Sequence, residues 1–177
     1  MPTASALIDE LRILHRMTST TPLAGFAGLY ERHYETVFRT ALRVTGNPAD
    51  AEDVLQTVFL RALAGSGVVQ DVALPAAYFR RAAVNAAVDV LRRREVHAES
   101  AYDDAAPQVA VQSPVFLKER LRRAIASLDS EDASLFLLRF VEGLTIEELA
   151  GMFKIEKNNV AVRLHRIRRR LRSEMER

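Results

Sequence analysis

Asn158, Asn159, Arg163, Arg166, Arg169 and Arg170 crowd into one short C-terminal stretch, and their types suit one kind of chemistry. Asn presents a paired donor and acceptor to a base edge, and Arg neutralises phosphate. Between them Val160, Leu164, Ile167, Leu171 and Met175 recur at the spacing of a single buried helical stripe, which turns the Asn and Arg residues toward other faces. Residues 156–177 carry eight Lys/Arg against three Glu, net +5. A solvated terminal helix whose arginines only complement its dipole would use the same residues. What precedes them favours nucleic acid. Thr145 and Glu148 form a capping-box pair opening a short amphipathic segment, a break follows at Phe153-Lys154, and the long basic helix starts at about Glu156. A short capped helix, a tight turn and a longer basic helix make a helix-turn-helix, whose second helix enters the major groove.

A second constellation lies upstream. On a helical projection Tyr78, Arg81, Asn85, Asp89 and Arg92 share one stripe, beside an apolar stripe of Val84, Ala87, Val88 and Leu91. Stacking on Tyr tolerates any base, Arg holds phosphate and Asn reads an edge, so this face suits single-stranded or partly opened nucleic acid. A solvated face of mixed charge is the alternative. Residues 80–94 carry five Arg against Asp89, net +4, whereas residues 47–60 hold three acids and no base, net −3. The formal total of +2 therefore conceals separate basic and acidic surfaces.

The elements that must position these residues are all helical. Phe26, Leu29, Tyr30, His33, Val37, Ala41 and Val44 keep the 3.6 period until Gly46-Asn47-Pro48 stops it. Pro48 opens a second helix with Asp50, Glu52 and Asp53 in its first turns and Ala51, Val54, Leu55, Val58, Phe59 and Ala62 on its buried face. Gly65-Ser66-Gly67 ends it, and a third helix runs from Pro75 to about Arg94. Residues 95–114 hold four acids, no Lys or Arg, two Pro and no amphipathic period, and read as a linker. Beyond it Phe116, Leu117, Leu121, Ala124, Ile125 and Leu128 make a helix, and Ser130 with Glu131 and Asp132 is expected to cap the next, which ends at Gly143. The expected organisation is an N-terminal extension (1–22), a helical domain (23–95), an acidic linker (96–114) and a helix-turn-helix domain (115–177). With 177 residues and 49% apolar content, a packed all-α core is within reach.

Other functions find no residues to perform them. The chain has no Cys, hence no thiolate site, disulfide or Cys nucleophile. His15, His33, His97 and His165 lack metal-ligand spacing, and neither a glycine-rich phosphate loop nor a nucleophile elbow occurs. No enzymatic activity, cofactor or metal is expected. The first residues do not resemble a signal peptide and no run approaches a membrane span, so a cytoplasmic protein without membrane insertion is expected.

The order of these parts carries a resemblance. LYERHYETVFRTALRVTGNPADAEDVLQTVFLRAL (29–63) with YFRRAAVNAAVDVLRRR (78–94) resembles the promoter-melting domain, region 2, of bacterial RNA polymerase sigma factors of the extracytoplasmic-function group, and LDSEDASLFLLRFVEGLTIEELAGMFKIEKNNVAVRLHRIRRRLR (128–172) resembles their C-terminal region 4. The resemblance implies a non-catalytic subunit that directs core polymerase to promoters. It implies that Asp50, Glu52, Asp53, Gln56 and Phe59 meet the clamp helices of the largest subunit, and that region 4 meets the flap of the second-largest. Tyr78, Arg81, Asn85, Asp89 and Arg92 would then engage the −10 element, with residues 66–74 capturing a flipped base. Lys157, Asn158, Asn159, Arg163 and Arg166 would engage the −35 element, and an anti-sigma factor is the expected regulator. The chain departs from the family in having no Trp, Lys154 where a turn Gly is usual, and Asn158-Asn159 where Gly-Thr is usual. A stand-alone helix-turn-helix regulator with a helical sensor domain is the rival reading; it would have no use for the acidic 47–60 surface.

Overall fold

A computed structural model of the chain describes residues 22–64, 76–100 and 113–176. Among these, every regular element is an α-helix, as the periodicity requires: α1 (Pro22–Thr45), α2 (Pro48–Ala64), α3 (Ala76–Ser100), α4 (Pro114–Ala126), α5 (Ser130–Phe140), α6 (Ile146–Phe153) and α7 (Lys157–Glu176). Residues 1–21, the 66–74 segment and most of the acidic stretch lie outside the described residues.

The first three helices form one body. Gly46 closes α1 in the left-handed region, φ 69°, with its N–H donating to the Leu42 carbonyl at 2.8 Å. Asn47 then caps α2, its Oδ1 accepting from the Ala49 N–H at 2.8 Å. Val37 and Ala41 of α1, Ala51 and Val54 of α2 and Ala83, Val84 and Ala87 of α3 are sealed between the three. Small and β-branched residues let the helices approach closely, and burying each larger side chain contributes about 1.5–3 kcal/mol. One end is aromatic: the Phe59 ring lies 4.7 Å from Tyr30 and 5.6 Å from Phe79. His33 stacks on Phe79 with centroids 4.2 Å apart, and burial there, aided by the Arg32 charge, holds its pKa below the ordinary histidine value. It is a packing histidine, and no metal-binding group of three ligands exists among the described residues.

Helices α4 to α7 form the second body, around Leu135, Leu138, Leu149, Val160 and Ile167. Of the two caps expected in it, the Thr145 box forms and the Ser130 cap shifts; a third, at Ser113, joins them. Ser113 Oγ accepts the Phe116 N–H ahead of Pro114. Thr145 and Glu148 make the reciprocal capping box, at 3.2 Å for the Glu148 N–H and 2.7 Å for the Thr145 N–H, and the latter lowers the Glu148 pKa. The cap of α5 shifts by one residue. Asp129, not Ser130, accepts the Asp132 N–H at 2.9 Å, and that bond lowers the Asp129 pKa. The end of α3 also moves, from the expected Arg94 to Ser100, with Glu95 paired to Arg123 of α4 at 3.4 Å.

The turn between α6 and α7 contains the one non-glycine residue at positive φ among the described residues, Lys154 at φ 56° and ψ 44°. A side chain there carries a steric penalty of about 1–2 kcal/mol, partly offset by the smaller unfolded-state entropy of Lys relative to Gly. Lys154 is exposed, and its side chain makes no hydrogen bond or ion pair among the described residues. Lys154→Gly should therefore stabilise the chain by about 0.5–1 kcal/mol, raising Tm by about 2 °C; a calorimetric scan showing a lower Tm would mean the turn is held by Lys154 itself.

The two bodies are packed together. Helix α3 lies against both α4 and α5, and the buried apolar residues of the two bodies form one continuous cluster.

Candidate nucleic-acid and polymerase interfaces

Three surfaces carry the candidate residues. On α2, Glu52, Asp53 and Gln56 are exposed, as is Leu60 at 63%, and the 53, 56, 60 spacing keeps them on one face. Two other residues expected there are placed differently. Phe59 is 3% exposed at the centre of the aromatic cluster, so its ring cannot meet a partner. Asp50 is mostly covered and ion-paired with Arg94 of α3, which ties α2 to α3. Leu60 and Leu63 are apolar side chains left in solvent beside the acids, a feature that the spacing of the buried residues does not mark. The signal was available: Leu60 follows Gln56 by four residues, on the polar side of the helix.

On α3 the five stripe residues do share a face. Tyr78 is half-exposed, its ring edge-on to Phe79. Asp89 lies 3.9 Å from Arg61 of α2. The remaining three are engaged by the second body. Arg81 Nη1 donates to the Met152 carbonyl at 2.8 Å, and its guanidinium covers the Phe153 ring at 4.5 Å. Asn85 Oδ1 accepts from the Ser134 hydroxyl at 2.5 Å. Arg92 donates to the carbonyls of Ala126 and Leu128, at 3.3 and 2.6 Å, and to Ser130 Oγ at 2.7 Å. The carbonyls at a helix end carry partial negative charge, so a guanidinium is well placed there.

On α7, Asn158 and Asn159 are exposed at the tip of the helix, and Lys157 pairs with Glu147 of α6 at 3.0 Å. Val160, Leu164, Ile167 and Leu171 are buried as one stripe. Arg166, Arg169 and Arg172 are exposed, with no ion pair among the described residues. Arg163 differs from them. Its Nε and Nη2 both reach Asp132 Oδ1, at 3.0 and 2.7 Å, and its Nη1 reaches Glu131 at 3.1 Å, which fastens α7 to the first turn of α5. The capped α6, the left-handed turn at Lys154 and the exposed tip of α7 complete a helix-turn-helix with its recognition end free.

Comparison with known proteins agrees with this layout. Residues 29–96 match the family model of sigma-70 region 2, and residues 118–171 that of sigma-70 region 4. The chain is 31% identical over 150 residues to the ECF RNA polymerase sigma factor SigL of Mycobacterium tuberculosis, covering 81% of this chain and 85% of that one. It is 30% identical to the RNA polymerase sigma-E factor of Streptomyces coelicolor, covering 80% of each. The ECF sigma factor SigM of M. tuberculosis is 29% identical over 147 residues, 83% of this chain and 75% of that one. Two region matches in the right order, with relatives alike along most of their length, place the chain in the extracytoplasmic-function family of bacterial RNA polymerase sigma factors.

Proposed function

We propose that the three surfaces divide the work of an initiation subunit. Glu52, Asp53 and Gln56, with Leu60 in the place expected of Phe59, dock on the clamp helices of the largest polymerase subunit. Tyr78, Arg81, Asn85 and Arg92 handle the opened −10 element, with Asp89 orienting Arg61 at their edge. Asn158 and Asn159 read the −35 element, while Lys157, Arg166 and Arg169 meet its phosphates. The second body also meets the flap of the second-largest subunit. The protein works in the cytoplasm, where polymerase is, and an anti-sigma factor that covers either body would silence it.

The observation that carries this reading is charge segregation within one small fold. An acidic helix face, a Tyr, Asn and Arg stripe and a basic recognition helix are three surfaces with three different complements. The stand-alone regulator leaves the acidic, Leu60-tipped face of α2 without a task. Run-off transcription from a randomised promoter pool tests the reading. Core polymerase with this protein should enrich a bipartite −35 and −10 sequence that core alone does not, and an unenriched transcript pool would overturn it.

A further inference from the structure

An apolar groove of about 550 Å³ shares no residue with the three surfaces above. It lies between the end of α1 and the outer side of α4, over Leu42, Val44, Ile125 and Leu137. The last three are buried. Val115, Lys118, Leu121 and Arg122 follow one face of α4 along its edge, with Val115 71% exposed and Leu121 36%. Apolar side chains left in water side by side and rimmed by charge mark a place where something binds.

The groove is preformed. Arg122 Nε donates to the Val44 carbonyl at 3.2 Å, which joins α4 to α1, and its guanidinium lies over Gly46, where a Cβ would stand 1.9 Å from Nη2. Arg43 meets Glu142 at 3.3 Å, which joins α1 to the end of α5. The two bridges hold the walls at a fixed spacing. A ligand entering between them has little of the protein left to order, and that lowers the cost of binding.

Charge at the rim is uneven. Arg43, Lys118 and Arg122 face the groove, and the acids that face them are Glu142, enclosed between Arg43 and Arg80, and Glu119, which meets Arg122 at 3.4 Å. Lys118 is exposed and makes no hydrogen bond or ion pair among the described residues. It stands one turn before Arg122 on the same face of α4, so the two cations can hold one anionic head between them. We propose that the groove binds a small anionic amphiphile, an acyl chain of medium length ending in a carboxylate, with the chain over Leu42, Ile125 and Leu137 and the carboxylate at Lys118 and Arg122. The floor is aliphatic and the Val44 carbonyl beside it is taken by Arg122, so a sugar or a base would lose its hydrogen bonds to water there without replacing them. A preformed apolar recess of this volume with a few convergent charged groups is the usual form of a small-ligand site. Its walls come from both bodies, so the ligand favours their packed arrangement and gives the chain a chemical input besides any protein regulator.

The test uses the full chain and decanoate below the concentration at which it forms micelles. Calorimetric titration of the parent chain measures the affinity directly. Because the chain has no Trp, Val115→Trp puts a single fluorescent reporter at the groove, and Glu31→Trp puts one at an exposed position of α1 outside it. Lys118→Glu reverses the charge of an exposed rim residue. Decyltrimethylammonium carries the same tail under a cationic head, and an acidic amphipathic Leu/Glu peptide stands in for a partner helix.

Expected are saturable binding of decanoate to the parent, a blue shift from the Val115→Trp chain and none from the Glu31→Trp chain. In Lys118→Glu, decanoate should bind about tenfold more weakly and decyltrimethylammonium about tenfold more tightly. No saturable binding, or an equal shift from both reporters, would remove the groove as a site. Decanoate affinity left unchanged by Lys118→Glu would overturn the anionic class. Binding of the peptide without binding of decanoate would assign the groove to a partner protein and end the small-ligand reading.

Discussion

Reversing Glu52 and Asp53 together to Arg should weaken binding to core polymerase by about 2–4 kcal/mol, roughly 30- to 1000-fold, while the protein stays folded. Both side chains are exposed on α2, so their contribution to folding is limited to favourable placement near a helix N-terminus, about 0.3–1 kcal/mol each. Their contribution to docking is of another order. A basic partner surface that accommodates two carboxylates would face two guanidinium groups instead, and like charges held together across an interface oppose association strongly. Asp50 does not belong in this experiment, although the sequence groups it with them. It is mostly covered and paired with Arg94, so Asp50→Arg would set two cations against each other between α2 and α3 and destabilise the first body. The same geometry separates Phe59 from Leu60. Phe59→Ala should cost about 3–5 kcal/mol of stability by emptying the aromatic cluster, whereas Leu60→Ala should leave the melting curve nearly unchanged and lower core affinity. Gel filtration of each variant with core, beside its thermal melt, gives both quantities. Co-elution of the Glu52→Arg, Asp53→Arg protein at the parent's affinity would remove α2 from the polymerase contact.

Much of this arrangement is legible from residue order because helices announce themselves locally. Apolar spacing locates α1 to α7, and Gly46, Gly143 and the Thr145 to Glu148 pair mark ends that depend on only a few neighbouring residues. The shifts occur where the deciding contact is distant in sequence. Helix α3 continues past Arg94 because nothing in residues 95–100 breaks it, and Glu95 finds Arg123 in a helix that starts after the acidic stretch. Ser130 yields the cap to Asp129 because the carboxylate is the better acceptor for the Asp132 N–H.

Faces are legible for the same reason, but their occupants are not. A projection puts Arg81, Asn85 and Arg92 on one stripe of α3; it cannot say that α4, α5 and α6 lie against that stripe. Likewise the count of arginines on α7 treats them as equal, although Arg163 is locked to Asp132 across the body and Arg166 is free. Tertiary pairing decides which charges remain available to a partner, and local sequence does not encode it.

That difference along α7 should be measurable as three separate responses in one salt series. Asn158→Ala and Asn159→Ala remove base-edge groups from the exposed tip of the helix, so each should cost about 1–3 kcal/mol against the preferred duplex and almost nothing against a scrambled one. Arg166→Ala and Arg169→Ala remove unpaired cations from exposed positions. Each should weaken preferred and scrambled duplexes alike and reduce the slope of log K against log salt by about one, because one fewer counterion is released. Arg163→Ala should act on the fold first. It strands Asp132 with much of its carboxylate covered and removes the fastening between α7 and α5, at a cost of about 1–3 kcal/mol in stability. Its salt slope should stay that of the parent, since a guanidinium already neutralised by Asp132 and Glu131 displaces few counterions from DNA. The preferred duplex comes from selection out of a randomised pool with the full chain, and thermal melts accompany every binding curve. Equal losses on both duplexes for the Asn variants would take base reading away from the tip of α7. A slope reduced by Arg163→Ala as much as by Arg166→Ala would show that the ion pair to α5 opens on DNA, and that Arg163 reaches phosphate after all.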